Sequence, residues 1–407
     1  MRLTISPLKH LMYTMSILLS MTSCSWYEEE EEVIYDRTVL VYMAAENTLS
    51  SFAQEDIDEM VQAAGKIPKN SRLFVYVDNY SLPKILSIEV GEEGSKAKTI
   101  YQYTEEHNSG DPETLTLAMD WIITNSPSES YGLVLWSHGE AWIPTKAPAQ
   151  RAVCQDSGSK SWMEIPEIAE ALTNFPKLEF ILFDACFMQS IEVAYELRNT
   201  TNYIIGSPAE IPAPGAPYNR IVEAMFSSTN CADSIAENYY KEYSEGEIAI
   251  QGNEPETYGV CLSVVDCSQL ELLAKVTKET ITKYISTESE IELEGAQRYY
   301  LRDSSTRPEY YDMNGYMKRL LTNIEDYTHW SNALDRAVSY KRTTPHWYSY
   351  DTGMEKVDIE NYSGISCYVP KNTKNRTKLN TKFQTTSWYQ ATGWEKWYPN
   401  TESSATK

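Results

Sequence analysis

A chain of 407 residues, 42% of them hydrophobic, is long enough to bury a sizeable core and by length alone divides into two or three domains. Its formal charge of −23 and the absence of any Lys/Arg-rich block exclude recognition of nucleic acid through the phosphate backbone, so neither DNA nor RNA is expected as a partner. The acidic balance suits a soluble surface and substrates of basic character.

At the N-terminus, Arg2, Lys9 and His10 precede an apolar stretch from Leu11 to Met21, too short to span a bilayer and typical of a secretory signal. It ends in Met21-Thr22-Ser23-Cys24, which resembles a bacterial lipoprotein box with Met21 where Leu is usual. Cys24 is thus the expected lipid-bearing first residue of the mature chain, and residues 1–24 the signal peptide. Residues 25–36 carry the run Glu28 to Glu32. This run is similar to the surface-export signal of lipoproteins in some Gram-negative gut bacteria and reads equally as a solvated linker. The expectation is an exported protein, anchored to the outer membrane only through its lipid; a plain cleaved secretory signal is the alternative.

The mature chain opens with the apolar, β-branched run Thr38 to Met43, then a helical pattern from Leu49 to Ala64 and a second buried run from Arg72 to Val77. Alternating segments near Ile85–Val90 and Thr99–Tyr103, broken by Gly91 and Gly94, predict a hairpin. Helical spacing returns from Pro112 to Ile123, and Tyr131 to Trp136 is a strand ending at Ser137-His138-Gly139. After a Pro-rich polar loop come a short helix over 165–172, a strand from Leu178 to Phe183 ending at Asp184-Ala185-Cys186, a helix over 188–198 and a strand over 203–206. Strands apolar on both faces that alternate with helices predict an α/β fold, a mostly parallel sheet flanked by helices on both faces, over residues 37–230. Residues 231–407 read as an α+β extension completing or extending this core. It has helices over 232–243, 269–285 and 313–324 and strands over 258–265 and 363–369, while 388–399 shows no clear period. Its Tyr and Trp are expected mainly to pack.

Cys154, Cys186, Cys231, Cys261, Cys267 and Cys367 remain in the mature chain, with no CxxC pair and no clustered histidines. That pattern predicts neither a zinc site nor a disulfide framework. Most of these thiols should be small core hydrophobes. Cys186 differs, because ligands in open α/β sheets bind outside the carboxyl ends of the strands, and it sits there together with His138. His138 is the one histidine of the five that ends a buried strand. Consecutive strands tend to be neighbours, so the two side chains are expected at one rim. An imidazole partner and the N-terminus of the following helix would favour the thiolate. Gly139, without a side chain, would let its N–H approach an oxyanion, with the N–H of Cys186 as a second donor.

Three segments in order, Val41-Tyr42-Met43-Ala44-Ala45-Glu46-Asn47-Thr48, Val134 to Gly139 and Ile181 to Cys186, resemble the clostripain-like peptidases of the caspase, legumain and gingipain clan. The resemblance implies a caspase-like fold and a cysteine endopeptidase working through a thioester, with His138 as general base and acid, Cys186 as nucleophile and Gly139 as oxyanion donor. It places Asp184 in an S1 pocket that selects Arg or Lys in characterised members. The pocket wall would be the segment Ser207 to Tyr218, with Ser207 on it and Glu210 the candidate for a second acidic residue. Relatives can be activated by cleavage between the His and Cys strands; Lys146-Ala147 is the candidate site here, though an ordinary exposed loop reads as well. No cofactor is expected. Calcium, needed by some relatives, has no D-x-D-x-D-G loop to carry it. The partner is a peptide or protein substrate and the protein is expected to be a monomer. Two other readings remain: a catalytically silent surface-binding lipoprotein on the same scaffold, and a transamidase using the same dyad.

Overall fold

The run Thr38 to Met43 is apolar on both faces because β1 (Tyr35–Ala44) lies inside the sheet, its residues from Val39 on almost wholly buried. The structure is a computed structural model that describes residues 33–142, 152–246, 258–285, 292–299, 310–350, 352–371 and 377–396. The signal and lipidation residues, Cys24 included, most of the acidic linker and Lys146-Ala147 lie outside these. After β1, α1 (Ser50–Ala63) buries Ala53, Ile57 and Met60 at helical spacing, and the chain continues into β2 (Ser71–Asp78). The predicted hairpin forms as β3 (Lys84–Gly91) and β4 (Gly94–Gln102), the latter an edge strand carrying Lys96 and Lys98. Asp111 caps α2 (Pro112–Asn125) by accepting the Glu113 N–H, with Pro112 at its first turn.

Beyond α2 come β5 (Ser128–Trp136), a small antiparallel pair β6 (Val153–Asp156) and β7 (Ser161–Met163), and α3 (Ile165–Leu172), whose Glu164 and Glu167 form a capping box. Next are β8 (Leu178–Asp184), α4 (Ile191–Leu197), β9 (Thr201–Gly206), α5 (Tyr218–Met225) and α6 (Cys231–Glu245). The C-terminal half adds β10 (Cys261–Asp266), α7 (Leu270–Ile281), β11 (Tyr310–Asp312), α8 (Met313–Leu320), α9 (Ile324–Ala337) and β12 (Val338–Thr343). It ends with a hairpin of β13 (His346–Ser349) and β14 (Gly353–Lys356), then β15 (Ser366–Tyr368), α10 (Thr377–Phe383) and α11 (Ser387–Thr392).

One nine-stranded sheet organises all of this, in the order β12-β10-β9-β8-β5-β1-β2-β3-β4. Its middle five strands, β9 to β2, are parallel; the hairpin at one edge and β10 and β12 at the other run antiparallel. Alternation along β1 divides the core. Leu40 and Tyr42 pack with Leu115, Ile168, Leu273 and Trp330 on one face, and Val39, Val41 and Met43 with Ile57, Ile221 and Ile235 on the other. The extension supplies two sheet strands, and from Ile34 on the chain clusters as one compact unit.

Several boundaries differ from the sequence reading. The helix expected over 188–198 starts at Ile191. The one expected over 313–324 breaks, because Asn323 accepts the N–H groups of Glu325 (2.8 Å) and Asp326 (3.1 Å) and so starts a new helix, α9. Strand β12 was not foreseen, nor was the helix α11 inside the stretch without period.

Candidate active site

The parallel register of β5 and β8 pairs Leu135 with Phe183 and Trp136 with Asp184, and the Ser137 N–H donates to the Asp184 carbonyl at 3.4 Å. Two residues further on, that register sets His138 opposite Cys186 at the carboxyl ends of both strands. The chain leaves β1 towards β2 on one side, whereas β5 lies on the other. Such a switch point opens a crevice between the two carboxyl ends. The loop after β1 reaches into it with Thr48, whose hydroxyl lies 2.8 Å from His138 Nε2. It donates to the bare nitrogen of a neutral imidazole or accepts from the protonated ring. The Trp162 ring from β7 lies 6.4 Å from the His138 ring, centre to centre.

A buried polar clamp fixes these loops. Asn47 Nδ2 donates to the carbonyls of Ala44 (2.8 Å) and Gln155 (2.9 Å) and to Ser137 Oγ (3.3 Å), and its Oδ1 takes the Leu49 N–H at 2.8 Å. Ser137 Oγ donates to Ala44 O at 2.9 Å and accepts the Gln155 N–H at 3.0 Å. The ends of β1, β5 and β6 are thereby tied together by satisfied groups, which holds the residue after Ser137 in place.

Cys186 is half-buried, and its sulfur accepts the Ile211 N–H at 3.3 Å. The next residue, Phe187, sits at φ 65°, a left-handed conformation unusual for a bulky side chain. It is held there because the N–H groups of Phe187 and Gln189 donate to the carbonyls of Ala209 (2.9 Å) and Ser207 (3.0 Å). These contacts displace the helix start to Ile191, capped by Ser190, so Cys186 does not lie on a helix N-terminus as the sequence suggested. The Ile211 N–H is the donor that meets the sulfur instead. The opposite wall must be glycine: a Cβ on Gly139 would come within 2.6 Å of the Cys186 carbonyl oxygen. The remaining described cysteines are buried as expected, and burial pushes the thiols of Cys231, Cys261 and Cys267 up to about 12. They are poor nucleophiles at neutral pH.

His138, Cys186 and Thr48 border a cavity of about 650 Å³ that also reaches Asp184 and Glu210. Asp184 lies deep in its wall, taking the Ala216 N–H on both oxygens (3.0 and 3.1 Å) and the hydroxyls of Tyr218 (3.1 Å) and Tyr239 (3.5 Å). Burial pushes its carboxyl above the usual range against those donors, and burial with the charge of Asp184 pushes up Asp56, which accepts the Trp136 indole N–H at 2.6 Å. Glu210, almost fully buried, accepts the Tyr350 N–H. Ser207 is a correction: it is wholly buried and outside the cavity, because its hydroxyl closes a turn on the Ala209 carbonyl (3.0 Å) and N–H (3.1 Å). Thr48, Trp162 and the cavity-lining Tyr258, Tyr348 and Tyr350 were not singled out from sequence. Thr48 stood inside the first quoted segment; the tyrosines come from far down the chain and carry no local signal.

A sequence model of the Clostripain family matches residues 41–398. Clostripain of Hathewaya histolytica is 28% identical over 232 residues, which cover 49% of this chain and 44% of that protein, so the match spans less than half the length of the curated relative. A secreted C11 cysteine protease from Bacteroides thetaiotaomicron, solved in complex with an irreversible peptide inhibitor, is similar with TM-score 0.77 and 35% identity, covering 88% of this chain and 99% of that one. An inactive zymogen C11 protease from Parabacteroides distasonis gives TM-score 0.75 and 30% identity, covering 89% and 99%.

Proposed function

Since the chain belongs to the clostripain family of cysteine peptidases, we propose that it cleaves peptide bonds with Cys186 as the nucleophile and His138 as its proton-transfer partner. The observation that carries this is the register of β5 and β8, which brings both residues to the rim of one cavity at the switch point of the sheet. His138 takes the thiol proton, aided by the Ile211 N–H directed at the sulfur, and the thiolate attacks the scissile carbonyl carbon. The resulting oxyanion is met by the N–H groups of Gly139 and Cys186; one such donor is worth ~3 kcal/mol in comparable sites. Collapse breaks the C–N bond, His138 returns the proton to the departing amine, and a thioester on Cys186 remains. Water, deprotonated by His138, attacks the thioester and releases the acid and the thiol. Thr48 orients the imidazole throughout.

The carboxylates of Asp184 and Glu210 favour a substrate with Arg or Lys before the cut bond, a preference that fits negative charge in a largely dehydrated wall. Export agrees with the secreted relative, and Cys24 is the proposed lipid attachment site. Incubating the purified protein with a peptide library varied at the residue before the cut, and separately with a thiol-reactive probe, tests the reading. Cleavage after Arg or Lys with labelling confined to Cys186 is expected, and both should vanish in Cys186→Ala. Substantial cleavage by folded Cys186→Ala protein would overturn it.

A further inference from the structure

Trp136 joins two buried acids at the substrate cavity. It ends β5 beside Asp184 of β8 in the strand register, and its indole N–H donates to Asp56 of α1 at 2.6 Å. Both acids are almost fully buried, and Trp136 and Asp184 line the cavity. Asp184 is well supplied with donors, the Ala216 N–H and the hydroxyls of Tyr218 and Tyr239. Asp56 accepts the indole N–H alone. Among the described residues neither acid forms an ion pair with Lys or Arg. Of the other titratable groups around them, Glu55 and the half-buried Glu59 belong to α1 itself, Tyr218 and Arg220 to α5, and Tyr239, Glu242 and Tyr243 to α6. Arg220 is engaged by Glu242 at 3.0 Å. Burial holds the three tyrosines as neutral phenols.

An indole N–H needs only a neutral acceptor, which a carbonyl or hydroxyl supplies without burying charge. A carboxyl group in that place, next to a second one, has an electrostatic consequence. Two carboxylates in one dehydrated site without a cation cannot both ionise at small cost, so they keep a proton between them and titrate as a unit. The donors around Asp184 stabilise its anion, which leaves the proton on Asp56; burial and the charge of Asp184 push the Asp56 carboxyl up accordingly. We propose that Asp56 is the second acid of the substrate pocket: the empty pocket holds one proton on the Asp56–Asp184 pair, and a basic side chain entering it releases that proton to solvent. The charge balances, since one cation enters as one proton leaves, and the guanidinium or ammonium then meets the field of two carboxylates instead of one. An uncharged side chain cannot drive the exchange. Discrimination in favour of Arg and Lys should therefore rise with pH, a regulation that rests on the basic pocket proposed above.

The test uses the full mature chain carrying Cys186→Ala, which binds substrate without turning it over and removes the proton traffic between thiol and imidazole. Calorimetric titration with a peptide ending in arginine amide, and with its citrulline twin, in two buffers of different ionisation enthalpy counts the protons exchanged. The arginine peptide should release about one proton on binding and gain up to about tenfold in affinity per pH unit between about pH 6 and 9, a range in which an isolated carboxyl no longer titrates. The citrulline peptide should release none. Asp56→Asn, added to this chain, should bind the arginine peptide without proton release and with an affinity indifferent to pH. It should melt as its parent does, because the amide mimics the protonated acid and still accepts the indole N–H. Asp56→Ala, which cannot accept it, should melt lower. Arginine binding without proton release, or undiminished release in Asp56→Asn, would overturn the proposal while leaving the basic pocket standing. Equal affinity for the two peptides would remove the pocket and the proposal together. Should Asp56→Asn fail to fold, the proton count of its parent decides alone.

Discussion

Replacing Gly139 by alanine isolates the contact on which the geometry of the rim depends. The added Cβ would meet the Cys186 carbonyl oxygen at 2.6 Å, Ala185 Cβ at 2.9 Å and Met188 Cγ at 3.1 Å. The first of these is backbone and cannot swing aside, so ordinary contact returns only if the Cys186 peptide recedes by roughly 1 Å. Overpacking of this kind costs about 1–3 kcal/mol of stability. The larger effect should be on turnover, since a shift of roughly 1 Å between reacting groups costs about 100-fold, equivalent to ~3 kcal/mol of barrier. Gly132→Ala is the matched control. Its Cβ would strike the Phe180 ring at 2.5 Å, within the same pair of strands but well below the rim. Melting temperature, kcat/KM on a peptide substrate and the rate of alkylation by a small thiol reagent should be measured for both. Both variants should lose stability; Gly139→Ala alone should lose turnover while its thiol still alkylates. If Gly139→Ala keeps wild-type kcat/KM while melting like Gly132→Ala, the close approach of residue 139 to Cys186 is not what organises catalysis.

Thr48→Val removes one hydrogen bond to His138 on an exposed residue, so kcat/KM should fall by roughly two- to tenfold with an unchanged melting temperature and a displaced pH profile; an unaltered profile would show that Thr48 does not position the ring. Asp184→Asn should abolish any preference for Arg or Lys in a peptide library and lower stability by about 1–3 kcal/mol, because an amide cannot accept the Ala216 N–H on both sides; a wild type preferring uncharged residues would remove the basic-pocket assignment. Glu192, fully buried, has its carboxyl pushed up from 4.5 to about 7 by burial. With the folded value above the unfolded one, its contribution to stability is complete below pH 4.5 and is lost as pH rises to about 7. Glu192→Gln should therefore flatten stability against pH over that window by up to ~3 kcal/mol, and denaturant melts at several pH values check it; a slope matching wild type would refute it. Cys24→Ala should move the protein from membrane to soluble fractions on cell fractionation without changing its intrinsic activity, and unchanged retention would exclude lipidation there.

Local sequence carried the central sheet because each parallel strand is covered on both faces and so must be apolar throughout: Val39–Met43, Leu133–Trp136 and Phe180–Phe183 could not be half-exposed. The same local rule put His138 and Cys186 directly after two such strands, so their placement at one rim of the sheet was visible without coordinates. What the sequence could not settle is everything that depends on a partner distant along the chain. The start of α4 moved to Ile191 because hydrogen bonds from residues 187 and 189 to the 207–209 turn outcompete a helical first turn. Ser207 turned inward for the same turn, while Glu210, three residues on, lies on the cavity wall. Thr48 and the three cavity tyrosines arise where loops from separate strands meet at one end of the sheet. Periodicity records only which face of an element is buried, so the composition of that end followed from strand order and register, which tertiary packing alone fixes.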